Sequence, residues 1–455
     1  MPAPDADERP ADPPPGMAPG GGPAEVDVLI VGAGAAGLFA AAWAARTARD
    51  AGRPLRILAV DGARKLGAKI LVSGGGRCNV THHAVGEDDF AGATPPAIRK
   101  VLRRFAVADT VRFFAEAGVE FYREADTGKL FPTTDSARSV LDALVRQATT
   151  AGVRLLHPAR VTALSRTAPG ILATTADGLI HARRAILCTG GKSLPKSGSD
   201  GGGFALARSL GHGLAEPIVP ALVPLLLPPG HWITSLSGLA LPAALTLWSG
   251  SGRRIHETTG ATLCTHLGIS GPAVLDVSRH WLVARHTDPA ARLAINWLPG
   301  ETAESIDRLL LDGQRRGGLA VLRERLTERL ARCLCAAAGA PPAGDLTRDA
   351  RRALATAVAA TPLPIAGDRG YAVAEATAGG VPLTEVRLET LESRLCPGLH
   401  FAGEVLDVDG RIGGFNFQWA WASGYVAGLA AAQAVCRSMA AETAPSTPTA
   451  EAKTS

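Results

Sequence analysis

The stretch with the most chemistry in it runs KILVSGGGRCNVTHH, from Lys69 to His83. It places an ammonium, three successive glycines (Gly74, Gly75, Gly76), a guanidinium, a thiol and a carboxamide close together. Glycines let main chain run close to a bound molecule, while Lys69, Ser73, Arg77 and Asn79 offer charge and hydrogen bonds to oxygen acceptors. The thiol of Cys78 raises a second possibility, redox exchange, which needs another cysteine within reach. The seven cysteines (Cys78, Cys188, Cys264, Cys333, Cys335, Cys396, Cys436) include no C-x-x-C pair and no neighbour of Cys78. Their scatter suits neither a zinc site nor structural disulfides and points to a reducing cytoplasm. Cys78 is therefore expected as a packed thiol within the cradle, and His82 and His83 as surface loop residues.

A second stretch, VDVLIVGAGAAG, supplies Gly32, Gly34, Ala35, Ala36 and Gly37. A G-x-G-x-x-G alone says little in a chain with 52 glycines. Here a continuous apolar strand precedes it, an Ala-rich helix follows, and the next strand, LRILAVD, ends in Asp61, 24 residues past Gly37. That context is the dinucleotide fingerprint. Gly32 makes the turn, Gly34 admits a pyrophosphate, Gly37 lets helix and strand pack, and Asp61 accepts from a ribose diol. Paired or tripled glycines recur at Gly74–Gly76, Gly190–Gly191, Gly201–Gly203, Gly379–Gly380 and Gly413–Gly414. So many close approaches suit a long extended ligand, which favours FAD over NAD.

These residues need a large scaffold, and 455 residues leave room for two or three domains,. With 46% hydrophobic and 20% charged residues the chain can bury a sizeable core,. The net charge of +5 is too small and too dispersed to argue for nucleic acid,. No apolar run approaches the ~20 residues of a membrane span. Pro-, Gly- and Ala-rich ends (1–24 and 438–455) read as disordered tails,.

Between the ends, helical spacing covers about 95–117 and 136–151. Short alternating runs follow (VRLLH, RVTAL, ILATTA, LIHA), then a buried strand, RRAILCTGG. The expected organisation is one α/β nucleotide-binding domain split in sequence, 25–195 and 369–437. The insertion, 196–368, would be β-rich over about 214–299 and helical over about 300–362,.

The motifs VGAGAAG, KLGAKILVSGGGRCNVTH, GKLFPTTDSARSVLDAL, AILCTGGKSLPKSGSDGGGFALARSLGH, LCTHLGISGPAVL, ATAGGV and HFAGEVLDVDGRIGGFNFQWAWASGYVAG together resemble the BaiN-like (YhiN-type) bacterial FAD-dependent oxidoreductases. The resemblance implies a Rossmann-like FAD-binding domain of the glutathione-reductase type carrying a β-barrel-like and helical insertion. It places Thr189, Gly190 and Gly191 against the cofactor. It also puts Gly403 with either Glu404 or Asp407 on the ribityl hydroxyls. Gly413, Gly414, Phe415, Asn416 and Gln418 would lie at a helix start facing the flavin. Electrons would come from NAD(P)H, bound transiently since no second G-x-G-x-x-G exists, and would pass to a small substrate such as an enone. In the CTHLGISGP loop, His266 is the candidate acid, beside Thr265, Ser270 and Gly271. No metal is expected. Two rival readings are an FAD-dependent tRNA-modifying enzyme and a non-catalytic flavin-binding regulatory protein.

Overall fold

A computed structural model describes residues 24–168, 170–341 and 343–443. The expected tails lie largely outside the described residues. However, Ala24 already opens the first strand and the last helix continues to Thr443, past the point where a tail was expected.

The first strand, Ala24–Val31, is buried from Val26 onward because it is central in a sheet. It pairs in parallel with Ile57–Val60 on one side and Gly178–Leu187 on the other. Arg154–Leu156 extends the sheet beyond Ile57–Val60, and Leu399–Phe401 extends it beyond Gly178–Leu187, both in parallel. Strands covered on both faces read as unbroken apolar runs, which is how LIV and ILAV appear. The sequence reading separated LIHA from RRAILCTGG. They are one strand, which runs parallel to Ala24–Val31 along one edge, while on the other edge its first half pairs antiparallel with Ile171–Thr175 and its second half parallel with Leu399–Phe401.

Two helices far apart in sequence close one face of this sheet. Ala35–Asp50 lies against the helix Phe415–Thr443, with Gly424 and Gly428 meeting the main chain at Ala36 and Ala40. A single core joins them to the sheet. The lobe is thus built from both ends of the chain.

The chain leaves this lobe along Ala215–Ala221 and re-enters along Ala376–Gly380, and these two segments pair antiparallel as a neck. Beyond the neck lies a second core around a seven-stranded antiparallel sheet. The edge strands of that sheet, Thr361–Leu363 and Gly367–Asp368, are joined by one short turn, so it curls like a barrel. Helices cover it, including Pro272–Thr287, which falls inside the stretch expected to be β-rich. The segment 202–209 was assigned by sequence to the insertion, yet Phe204, Leu206 and Ala207 pack into the core of the larger lobe.

The smaller lobe is fastened back through that helix. Asp276 Oδ1 accepts from Ile412 N at 2.7 Å, and Arg279 Nε stands 3.0 Å from Asp409 Oδ2.

Candidate cofactor-binding cavity

A cavity of about 670 Å³ opens where the strands of the large sheet end and the neck begins. Its first wall is the turn between Ala24–Val31 and Ala35–Asp50. A Cβ on Gly37 would fall on the Gly32 carbonyl oxygen, so strand and helix pack there with no room for a side chain. At Gly34 the situation is opposite: a Cβ would meet nothing within 4 Å, since the residue faces the cavity at the helix start. The helix N-terminus leaves its first N–H groups without intrahelical acceptors and suits an anion. Gly32, Ala35 and Ala36 line the same wall.

Asp61 also lines the cavity, and its carboxylate is already engaged. Oδ2 accepts from Ala33 N and Oδ1 from Ala63 N, each at 2.7 Å. The acid clamps the glycine turn to its own strand while retaining lone pairs for a ligand hydroxyl.

The SGGG turn is the second wall. Gly74 and Gly75 hold left-handed φ values of 55° and 69°, which explains the residue type,. A Cβ on Gly75 would meet no protein atom within 4 Å. Ser73, Arg77 and Asn79 line the cavity beside it. The Arg77 guanidinium lies 3.9 Å from the centre of the Phe131 ring and binds Tyr122 Oη at 3.2 Å.

The third wall comes from the far part of the sequence: Gly403, Glu404, Gly413, Gly414 and Asn416. Lys69 Nζ meets Glu404 Oε2 at 2.5 Å, tying the second wall to the third. Thr189 and Gly190 complete it at the strand end.

Four buried polar atoms in these walls lack a hydrogen-bond partner: Asn79 Oδ1, Thr189 Oγ1, Ser199 Oγ and Glu404 Oε1. All four residues line the cavity. Leaving such groups unpaired costs about 1–3 kcal/mol each, so their concentration here marks a surface shaped for a polar ligand. A helix start open to an anion, an acid at the second strand and a run of hydroxyl and amide groups along one cavity match FAD, whose pyrophosphate, ribose and ribityl chain need those partners.

Several predicted positions lie off the cavity. Gly37 and Gly76 shape the turns, and Gly191 abuts Thr377. Cys78 is wholly buried in the core with φ 61°, and burial pushes its thiol up to about 12. It contributes neither a cofactor contact nor a thiolate. Asp407 lies off the cavity beside Gly92, and burial raises its carboxyl to about 6, so Glu404 is the acid presented to the cavity. Phe415 stacks on His82 with ring centres 4.9 Å apart. Gln418 is a buried tie: Oε1 accepts from Thr81 and Thr110 hydroxyls, and Nε2 donates to Phe105 O. His266 is an exposed residue in the tight turn between Arg254–Thr265 and Gly268–Ser270 and does not reach the cavity. That hairpin is held by Thr265 Oγ1, which accepts from Leu267 N and Gly268 N.

Sequence reasoning missed Arg160 and Asp200, ion-paired at 2.8 Å beside Asp61's end of the cavity. It also missed Lys129 and Glu375 at the opposite end. Lys129 and Asp200 fall within the quoted motifs GKLFPTTD and SGSDGGG, but nothing in the local spacing shows that these four, from different segments, share a cavity.

The family model described as HI0933-like protein Rossmann domain matches residues 26–430. The chain belongs to that family. It is 35% identical over 411 residues to a 3-dehydro-bile acid delta(4,6)-reductase of Clostridium scindens, covering 89% of this chain and 98% of the relative. It is 34% identical over 414 residues to a ribosomal RNA dihydrouridine synthase of Escherichia coli, covering 88% and 96% respectively. Among solved structures, the 3-ketosteroid-delta4-(5alpha)-dehydrogenase of Rhodococcus jostii aligns at 17% identity with a TM-score of 0.42, over 90% of this chain and 97% of that one. Membership of that family makes this chain an FAD-dependent oxidoreductase with a Rossmann-like cofactor domain. Among the described residues no helix is long and apolar enough to cross a membrane.

Proposed function

We propose that this HI0933-like protein reduces a carbon–carbon double bond conjugated with a carbonyl, drawing its electrons from NADH or NADPH. The reading rests on the continuity of the cavity. The walls that fit FAD run without a break into an end lined by Leu222, Val373 and Ile412 together with Lys129 and Glu375. An apolar end with few polar groups suits a small, mostly carbon substrate beside the flavin. The named reactions of the two relatives share one bond type, since a Δ4 steroid ketone and a uracil ring both carry a C=C conjugated with C=O.

Bound FAD supplies a two-electron carrier that releases a hydride. The chain's own groups hold and orient it. Gly34 and the start of Ala35–Asp50 take the pyrophosphate; Asp61 takes the ribose, and Glu404, fixed by Lys69, takes a ribityl hydroxyl. The helix beginning at Phe415 presents its N-terminal dipole to the cavity through Gly413 and Gly414, an environment that favours negative charge,. Apolar side chains at the far end exclude water from the reacting carbon.

The test is anaerobic. Purified protein reduced by NADH or NADPH should be reoxidised by an enone panel or by a uridine-containing ribosomal RNA fragment. Reoxidation by the RNA alone would assign the substrate to nucleic acid, a reading favoured by the Escherichia coli relative. If neither class reoxidises the flavin, the proposal falls.

A further inference from the structure

We propose that Glu375 is the proton donor of this reaction, delivering H⁺ from its carboxyl to the carbon adjacent to the substrate carbonyl. The inference rests on the reduction reading above and adds the group that completes it. Hydride addition to the far carbon of a conjugated C=C places an electron pair on the carbonyl side as an enolate. One proton at the near carbon then gives the saturated ketone. The hydride, which carries both electrons, comes from a reduced pyridine nucleotide through FAD, and the proton must come from the protein or from water.

Glu375 sits where the neck returns to the larger lobe, immediately before Ala376–Gly380. Its main chain is anchored by an N–H donated to Leu222 O at 3.2 Å, across the two strands of the neck. The carboxyl lines the cavity, and no side-chain hydrogen bond or ion pair to it is present among the described residues. Other cavity acids are engaged: Asp61 by two main-chain N–H groups, Asp200 by Arg160, and Glu404 by Lys69. Of the acids on the cavity wall, Glu375 is the one whose carboxyl is unpartnered.

More than a third of its surface is accessible, and that surface opens on the cavity. Protein packed around its other sides nonetheless desolvates it and pushes the carboxyl above the usual range, against the pull of Lys129 and Lys69. The charged groups facing it are Lys129 from Lys129–Pro132, Lys69 from Ala68–Val72, and Asp276 from Pro272–Thr287, with Arg411 beside Asp276. A carboxyl held above its usual range by burial is better suited to give up a proton than a free one, and Lys129 then stabilises the anion left behind,.

Glu375→Gln should retain FAD and be reduced by NAD(P)H at the normal rate, while reoxidation by substrate slows on the order of 100-fold or more. In the parent protein reoxidation should fall as pH rises through the Glu375 titration, because the acid form is the active one. In the Gln variant that limb should vanish. Lys129→Met removes the charge that favours the carboxylate, so the limb should move to higher pH. Glu375→Ala should regain rate on adding formic or acetic acid, and it stands in should the Gln variant fold poorly. A readout independent of turnover is the infrared carbonyl band of a protonated carboxyl in flavin-free protein. Asp276, Asp407 and Asp409 contribute to this region too, so the band is read in the parent-minus-Glu375→Gln difference spectrum, where it should titrate, and shift upward in pH on a Lys129→Met background. Unchanged reoxidation and pH profile in Glu375→Gln would overturn the assignment while leaving the reduction intact. A parent protein reoxidised by no conjugated substrate would remove the reaction and this role together.

Discussion

The two ends of the cavity are made differently. The end formed by GAGAAG, Asp61 and SGGG is made largely of main chain: glycines that leave space or allow unusual φ, and N–H groups at a helix start. The end formed by Leu222, Glu375, Lys129 and Ile412 is made of side chains from four separate segments, two in the neck and two in the larger lobe. Main-chain recognition needs particular residue types at fixed spacing, so it leaves a pattern. Side-chain recognition needs only that the fold bring suitable groups together. The cofactor end constrains the chain tightly, whereas the substrate end leaves sequence freer to vary.

The contrast can be broken most severely at Gly37. A valine there would place its Cβ on the Gly32 carbonyl oxygen, main chain that cannot give way. We expect a loss of ~3 kcal/mol or more and little holoprotein, read as melting temperature and flavin-to-protein absorbance ratio. Gly34→Val sharpens the point within the same motif. Its φ of −78° is ordinary and its Cβ would meet nothing within 4 Å, so the apoprotein should melt normally while FAD fails to bind. If Gly34→Val binds FAD as the parent does, the first wall is not the pyrophosphate site.

Asp61→Ala should act in two ways. It removes the ribose partner and strands the N–H groups of Ala33 and Ala63. Titration of apoprotein with FAD should show affinity weakened by ~1–3 kcal/mol. Cys78→Ser should be milder and confined to stability. Burying a hydroxyl in place of the thiol costs ~1–2 kcal/mol, with flavin content and the NAD(P)H-driven reduction rate unchanged. Loss of turnover with flavin still bound would make the thiol catalytic and refute its assignment to the core. The smallest effect is expected at His266→Ala. An exposed turn residue away from the cavity should shift neither melting by more than ~0.5 kcal/mol nor reoxidation kinetics.

The same contrast sets how much was legible beforehand. The parallel sheet, the split of the larger lobe and the glycine walls follow from apolar runs ending in G-x-G-x-x-G, SGGGR and TGG, because strand burial and tight turns each demand a residue type. Glu404 and Asp407 were indistinguishable in sequence. Local main chain turns the first into the cavity and leaves the second off it, beside Gly92. His266 drew notice as a titratable group within a motif, but CTHLGISGP is a hairpin followed by a helix, and its glycines serve that geometry. A Cβ on Gly268 would strike the Leu225 carbonyl, and one on Gly271 would stand 2.8 Å from Ala261 O. Glu375 and Lys129 went unseen because nothing in their neighbours signals a shared cavity.

The pairing of Ala35–Asp50 with Phe415–Thr443 has a consequence for how the molecule is made. Ala35–Asp50 leaves the ribosome long before its partner Phe415–Thr443, and the cavity's third wall lies just before that partner. Until that partner is made, the apolar face of the earlier helix has nothing native to cover it, and contacts of such long sequence separation form slowly. The smaller lobe, with its own core and nearly contiguous sequence, can fold while the larger one waits. A nascent chain stalled before residue 399 should therefore resist protease over about 225–368 while its first 200 residues are cut, and should hold no flavin. Cofactor loading then waits for Phe415–Thr443, and a nonsense codon early in that helix would yield colourless protein.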